Sequence, residues 1–265
     1  METVTSADGT EIAFERTGNG PPLVLVHGNG DVHTFWDLAG ARPALADHCT
    51  VYAIERRGRG ESGDAAEYRL EQEAEDVVAV INTIDEPVVV VGHSGGALYS
   101  LEATLRTSNL RTLILNEPPI MVRNHELGVA AGIAEMNRLL DDGDNEKVLV
   151  FFLQEVAGLT PAELDTARAS PTWQQMVDAA HTLPRELQAI EEYEFDSARF
   201  EEMTAPTLLM IGSESPPLFE DAIEALNDAL PNSKTVTFDG HQHEPMNTAP
   251  DDFVDEVLTF IRKPN

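Results

Sequence analysis

The chain has 265 residues, 42% of them hydrophobic, and 47 acidic against 17 basic residues leave a formal net charge of -30. That length suffices for one substantial core with room for a sizeable insertion. The longest apolar runs, Leu23 to Val26 and Val88 to Val91, are far too short to cross a bilayer, and so negative a surface repels phosphate, which excludes membrane spans, anionic membranes and nucleic acid as partners.

Taken in chain order, short β-branched runs alternate with longer helical stretches, the pattern of an α/β protein with a mostly parallel central sheet flanked by helices. A strand is expected over Thr10–Arg16, after a turn at Asp8-Gly9, and further strands over Pro22–His27, Val51–Glu55, Val88–Gly92, Leu110–Asn116, Thr207–Gly212 and Lys234–Phe238. Helices are expected over Leu70–Ile84, Gly95–Thr107, Phe219–Leu230 and Asp251–Ile261, with Pro231 and Pro264 just beyond helix ends. The strand rhythm breaks between Pro119 and Met203. Helical spacing there covers Leu127–Leu140, Glu146–Ala157, Pro161–Arg168 and Trp173–Ala180, punctuated by Gly143, Gly158 and Pro171. Two parts are therefore expected: a core of residues 1–118 and 204–265, and a helical cap of residues 119–203.

The N-terminus has neither a basic start nor an apolar run, so no secretory signal is expected and the cytoplasm is the expected compartment. Three lysines only (Lys147, Lys234, Lys263) accompany acids scattered along the whole chain, as in Asp141-Asp142, Glu191-Glu192 and Asp251-Asp252. Such surfaces suit a high-salt cytoplasm, where concentrated cations screen the self-repulsion. Cys49 is alone, excluding an internal disulfide and a cysteine metal cluster, and it is expected to be a buried structural thiol. No His-Glu-x-x-His pattern, dinucleotide loop or phosphate loop is present, and no cofactor is implied.

The chemistry centres on Gly92-His93-Ser94-Gly95-Gly96, a Gly-x-Ser-x-Gly match that follows an apolar strand and opens a helix. A sharp strand-to-helix turn strains the backbone at the serine and lifts its hydroxyl into the open, and only small neighbours fit around it. Serine needs a base, and two histidines, His241 and His243, stand after the last strand and before the terminal helix. A developing oxyanion needs backbone N–H donors: Gly95, next to the serine, and Asn29, in the glycine-rich exit Val26-His27-Gly28-Asn29-Gly30, are the candidates. His27 itself is expected to be structural.

Together these features resemble the α/β-hydrolase superfamily of esterases, lipases, perhydrolases and carbon-carbon bond hydrolases, over almost the whole chain. Glu55-Arg56-Arg57-Gly58-Arg59-Gly60-Glu61-Ser62 is similar to the family's structural Asp-x-Arg-Gly-x-Gly-x-Ser loop, with Glu55 in place of aspartate. Trp36 resembles the tryptophan common after the His-Gly loop, and with His93 it is expected at the substrate site. The resemblance places the cap after the sixth strand and selects His243, three residues after Gly240, as the base. It departs at the triad acid: where the family commonly has aspartate after the penultimate strand, this chain has Ser215. Some members carry the acid at the end of the earlier strand, which selects Glu117 here; Glu214 is the rival. The implied activity is that of a serine hydrolase acting on an ester or similar carbonyl-containing small molecule through an acyl-enzyme. A carbon-carbon bond hydrolase or perhydrolase on the same triad, or a non-catalytic ligand-binding protein, remain as alternatives. The His-Gly-Asn run also suggests a haloalkane dehalogenase, but that chemistry uses a carboxylate nucleophile, against Ser94.

Overall fold

The computed structural model describes residues 1–122 and 128–262. In chain order its elements are β1 (Glu2–Thr5), β2 (Glu11–Gly18), β3 (Pro22–Val26), α1 (Ala41–Ala46), β4 (Thr50–Ile54), α2 (Leu70–Ile81), β5 (Val88–His93), α3 (Gly95–Ala103) and β6 (Leu110–Asn116). There follow α4 (Ala130–Asp141), α5 (Asn145–Phe151), α6 (Pro161–Arg168), α7 (Trp173–Ala179), α8 (Leu183–Glu191), β7 (Thr207–Gly212), α9 (Pro217–Ala229), β8 (Ser233–Phe238), α10 (Pro245–Thr248) and α11 (Pro250–Arg262). The strands form one eight-stranded sheet in the order β1-β2-β4-β3-β5-β6-β7-β8. β2 runs antiparallel to β1 and β4, and every other neighbouring pair is parallel.

The apolar runs are continuous because both faces of the sheet are covered, and the period of two then sorts them. Val24, Val26, Val88, Val90, Leu113, Leu115 and Leu209 pack on one side with Val77, Val80, Leu98 and Leu101 of α2 and α3. Their neighbours Leu23, Leu25, Val89, Val91, Ile114, Leu208 and Met210 pack on the other with Leu45 of α1 and Phe253, Val257 and Ile261 of α11. Each such side chain is worth about 1.5–3 kcal/mol of transfer free energy. A one-residue slip of any strand would exchange the two sets, so the register that brings strand ends to the site is strongly specified.

Between β6 and β7 the described chain is helical, with a hydrophobic cluster of its own. Val129, Met136, Val148, Leu149, Phe152, Met176, Leu183 and Leu187 meet there, and the member from outside the segment is Val32, in the loop after β3. Several elements differ from expectation. Residue 127, the expected start of a helix, lies outside the described residues, and α4 begins at Ala130. The expected Glu146–Ala157 helix divides into α5 and a wider π-type turn over Phe152–Val156, in which Ala157 N–H donates to Phe152 O at 2.9 Å. β1, α1, α8 and α10 have no counterpart among the expected elements: β1 is a polar edge strand with Val4 as its one apolar side chain toward the core, α1 and α10 are only six and four residues long, and α8 begins at Leu183-Pro184 directly after the turn Ala180–Thr182. Cys49 is buried beside α1, where loss of solvation pushes its thiol up.

Candidate active site

The functional candidates gather where β3, β5, β6, β7 and β8 end. Among the described residues only two non-glycine residues have positive φ, Ser94 at 53° and Glu117 at 46°. Both lie directly past adjacent parallel strands, β5 and β6, whose registered ends are His93 and Asn116. Left-handed backbone costs energy in a residue with a Cβ, and it persists where the surrounding fold over-determines it. Here Ser94 N–H donates to Asn116 O at 2.9 Å, and Glu117 N–H to Met210 O at 3.2 Å. At Gly96 an added methyl would run into the carbonyls of Val26 and His27, so α3 can begin this close to β3 only on glycine.

Glu117 is fully buried, at 0% exposure, while the His243 side chain keeps 29%. Glu117 Oε2 lies 2.5 Å from His243 Nδ1. Its other oxygen, Oε1, accepts from Gly212 N–H at 2.7 Å and from Ser215 Oγ–H at 2.6 Å. Ser215, at the position where the resemblance predicts an aspartate, thus serves as a hydrogen-bond donor to the carboxylate from the neighbouring strand. Glu214, the rival acid, is exposed; its backbone N–H donates to His241 O, and it is Glu117 that meets His243. The His243 ring lies between Phe219 of α9, with centroids 4.5 Å apart, and His93, 4.7 Å away. Asn116 Nδ2 donates both to His243 O at 3.0 Å and to His93 Nδ1 at 3.1 Å, tying the loop that carries His243 to the turn that carries Ser94. Burial, reinforced by the neighbouring His243, holds the His93 imidazole well below the ordinary histidine range, so it stays neutral and does not compete for a proton.

The loop after β3 faces Ser94 across a narrow gap. A methyl on Gly28 would lie 3.1 Å from Ser94 Cβ and 3.2 Å from Asp31 Oδ2. Gly28 O accepts from Arg56 Nη1 at 2.9 Å and lies 3.0 Å from His27 Nδ1. Because a trans peptide points its C=O and N–H in opposite directions, the N–H of Asn29 is turned away from Arg56. The Asn29 side chain packs on Gly95 so closely that a methyl there would overlap Asn29 Oδ1. The two expected donors therefore lie together. Burial first, and then Glu244, push the Asp31 carboxyl well above the usual range, with Arg59 and Arg56 opposing.

Trp36 and His93, the expected substrate contacts, are both buried. Trp36, at 1% exposure, is packed among Phe35, His93 and Phe253 on the α11 side of the sheet, and His93, at 2%, stacks on Phe35. Both pack together beside the strand end that precedes Ser94, where aromatic rings gain from burial. His241 is a loop residue, its Nδ1 2.9 Å from Thr248 Oγ1. His27 is buried and held well below the ordinary histidine range, by desolvation before Arg56 and Arg59. Glu55 holds the loop as expected of a structural residue, its carboxylate 2.5 Å from His33 Nδ1. Sequence reasoning missed Ser215, Asn116 and Phe219 as partners of the site. Asn116 ends β6, Ser215 stands three residues past β7 and Phe219 lies on α9, and no local pattern marks any of them as a partner of His243 or Glu117.

Among the described residues no group of three or more His, Cys, Asp or Glu side chains is placed to hold a metal. No helix among them is long and apolar enough to cross a membrane. A cavity of about 470 Å³ is lined by Gly212, Ser213, Ser215 and Thr237 and not by Ser94.

An eight-stranded sheet with a serine at the strained β5–α3 turn defines a class, and comparison with known proteins agrees: residues 23–256 match the model of the Alpha/beta hydrolase family, and the chain belongs to that family. It has the α/β-hydrolase fold. It is similar to the pimeloyl-[acyl-carrier protein] methyl ester esterase of Aeromonas hydrophila subsp. hydrophila, 28% identical over 94% of this chain and 99% of the relative. Among solved structures it resembles an alpha/beta hydrolase from Sphaerobacter thermophilus, with 34% identity, 98% and 99% coverage of this chain and that one, and a TM-score of 0.84. An esterase from Rhodococcus sp. ECU1013 shares the fold at 24% identity, 100% and 99% coverage and a TM-score of 0.79.

Proposed function

We propose that this protein is a serine hydrolase that cleaves an ester-type bond in a small molecule, with Ser94 as nucleophile, His243 as base and Glu117 as the acid that orients it. The observation that carries the reading is the 2.5 Å contact between His243 Nδ1 and a fully buried Glu117, beside a serine at φ 53°. With its Nδ1 proton donated to Glu117, His243 has Nε2 free to take the Ser94 proton. Ser94 Oγ then bonds the carbonyl carbon, and the negative charge moves to the carbonyl oxygen between the N–H groups of Asn29 and Gly95. Collapse breaks the bond to the alkoxide, which leaves with the proton from His243. Water, deprotonated by His243, attacks the acyl carbon and releases the acid and Ser94. No cofactor takes part in these steps.

The helices of residues 119–203 act in this reading as a cap over a core of residues 1–118 and 204–265, with Phe152 laid against Gly30 of the oxyanion loop. The charge of -30 supports a cytoplasm rich in salt. The test is hydrolysis of short p-nitrophenyl esters in molar potassium chloride. Ser94→Ala and His243→Ala are expected to lower kcat by about 10⁴ or more, as triad deletions do. Folded wild-type protein whose residual turnover is unchanged by Ser94→Ala would refute the reading.

A further inference from the structure

One buried carboxylate near the site has no part in the chemistry above. Glu186 lies on α8, at 0% exposure, on a helix whose other buried positions include Leu183, Leu187 and Ile190. Its Oε2 accepts from Asn29 Nδ2 at 2.6 Å and from Arg59 Nη2 at 2.9 Å, and its Oε1 lies 3.3 Å from Arg56 Nη2. The two arginines grip the same loop from either end: Arg56 Nη1 donates to Gly28 O at 2.9 Å and Arg59 Nε to Asp31 O at 3.0 Å. Arg56 is itself held by a two-pronged pair with Glu73, at 3.0 and 2.7 Å, and lies over the Tyr99 ring of α3. Tyr99 Oη, 3.2 Å away, is the second acceptor for Asn29 Nδ2. The Asn29 amide is therefore fixed by Glu186 and Tyr99 while its oxygen rests on Gly95.

A helix face otherwise built from leucine and isoleucine gains nothing in packing from a carboxylate, whose desolvation costs several kcal/mol unless charged partners meet it. Among the described residues its partners are Asn29 of the oxyanion loop and the two arginines bound to that loop. We propose that Glu186 is a positioning residue for the oxyanion hole: from the inserted helices it sets the direction of the Asn29 N–H, so that stabilisation of the transition state depends on the docking of α8. This rests on the serine-hydrolase reading. It also makes the inserted segment part of the catalytic scaffold rather than only a cover over the substrate.

The experiment compares wild type, Glu186→Gln, Asn29→Ala and the double variant, with Ser94→Ala as control. kcat and KM are measured for one p-nitrophenyl ester, together with the affinity of an aryl trifluoromethyl ketone, whose hemiketal oxyanion probes the same donors. Glu186→Gln keeps the shape but removes the charge that holds both arginines and the Asn29 amide. Since deleting an oxyanion donor outright costs about 10²–10³ in kcat, a misdirected one is expected to cost about tenfold, with KM within about twofold and the ketone bound about tenfold more weakly. Asn29→Ala, which keeps the backbone N–H and loses the amide, should give a similar loss, and the double variant should add little to it. A folded Glu186→Gln with unchanged kcat and ketone affinity overturns the proposal, as does a change confined to KM. Loss of the fold in Glu186→Gln also overturns it, assigning the residue to stability alone. Turnover that does not depend on Ser94 overturns the serine-hydrolase reading and this proposal together; Ser94-dependent turnover insensitive to Glu186 overturns this proposal only.

Discussion

Two fully buried glutamates, Glu117 beside His243 and Glu186 beside Asn29, are treated differently by their surroundings. Among the described residues Glu117 has a neutral setting: a backbone N–H, a serine hydroxyl and one imidazole, with no arginine among its hydrogen-bond partners there. Glu186 is paired with Arg56 and Arg59, and their charges outweigh the cost of burial to hold its carboxyl at about 2. The difference has a consequence for chemistry. A carboxylate already neutralised by guanidinium groups has little field left to stabilise an imidazolium, whereas one held by neutral donors keeps its charge directed at the histidine it orients. Burial of an acid thus identifies neither a catalytic nor a structural role; the charge of its partners decides.

The largest expected effect that would break this contrast is at Glu117 itself. Glu117→Gln keeps the shape but removes the charge, and kcat should fall by about 10³–10⁴, the scale seen when a triad acid becomes its amide. Steady-state kinetics on the ester panel checks this, and a loss no larger than that of Glu214→Ala would transfer the role to Glu214. Next, Ser215→Ala removes one donor to Glu117 Oε1. A hydrogen bond to a charged group is worth about 1.5–3 kcal/mol, so the variant should lose stability on that scale in denaturant titration and part of its activity with it.

Two further variants sharpen the contrast through pH. Asp8 is the arginine-paired case. Burial raises its carboxyl, but the Thr10 N–H and Arg57 more than offset this, and its pKa is held well below the ordinary value. Stability from such a group is present above the unfolded pKa and is lost as pH falls through the folded one. Asp8→Asn should therefore destabilise the protein at pH 7, with the difference from wild type closing in acid. Asp31 has the opposite sign, raised chiefly by burial and then by Glu244. The fold favours its protonated form, so its contribution is lost as pH rises above the usual carboxylate range, and Asp31→Asn should raise Tm modestly at pH 7 and have no effect near pH 3. Thermal melts across pH check both; Tm shifts of equal sign would contradict the opposed environments.

How much of this was legible in the linear chain follows from the range of each interaction. The strands β3, β5, β6 and β7, the helix after Ser94, and the family itself were readable because they rest on local signals: continuous apolar runs, a glycine-flanked serine, and a histidine at a fixed distance past the last strand. The edge strand β1 carries too little apolar pattern to be read, and α8 was hidden by its direct continuation from the preceding turn.

The sequence by itself determined the α/β architecture and narrowed the acid to Glu117 or Glu214, because both stand at strand ends and a carboxylate is required. Only the tertiary structure brings one of them, Glu117, to His243. The choice depends on which strand end reaches His243 once β6 and β7 lie side by side, and on Ser215 turning from the expected place of an acid into a donor to one. It alone also moved Trp36 and His93 into the core and joined Glu186 to Asn29 across 157 positions of sequence, a pairing between parts of the chain that no local pattern encodes.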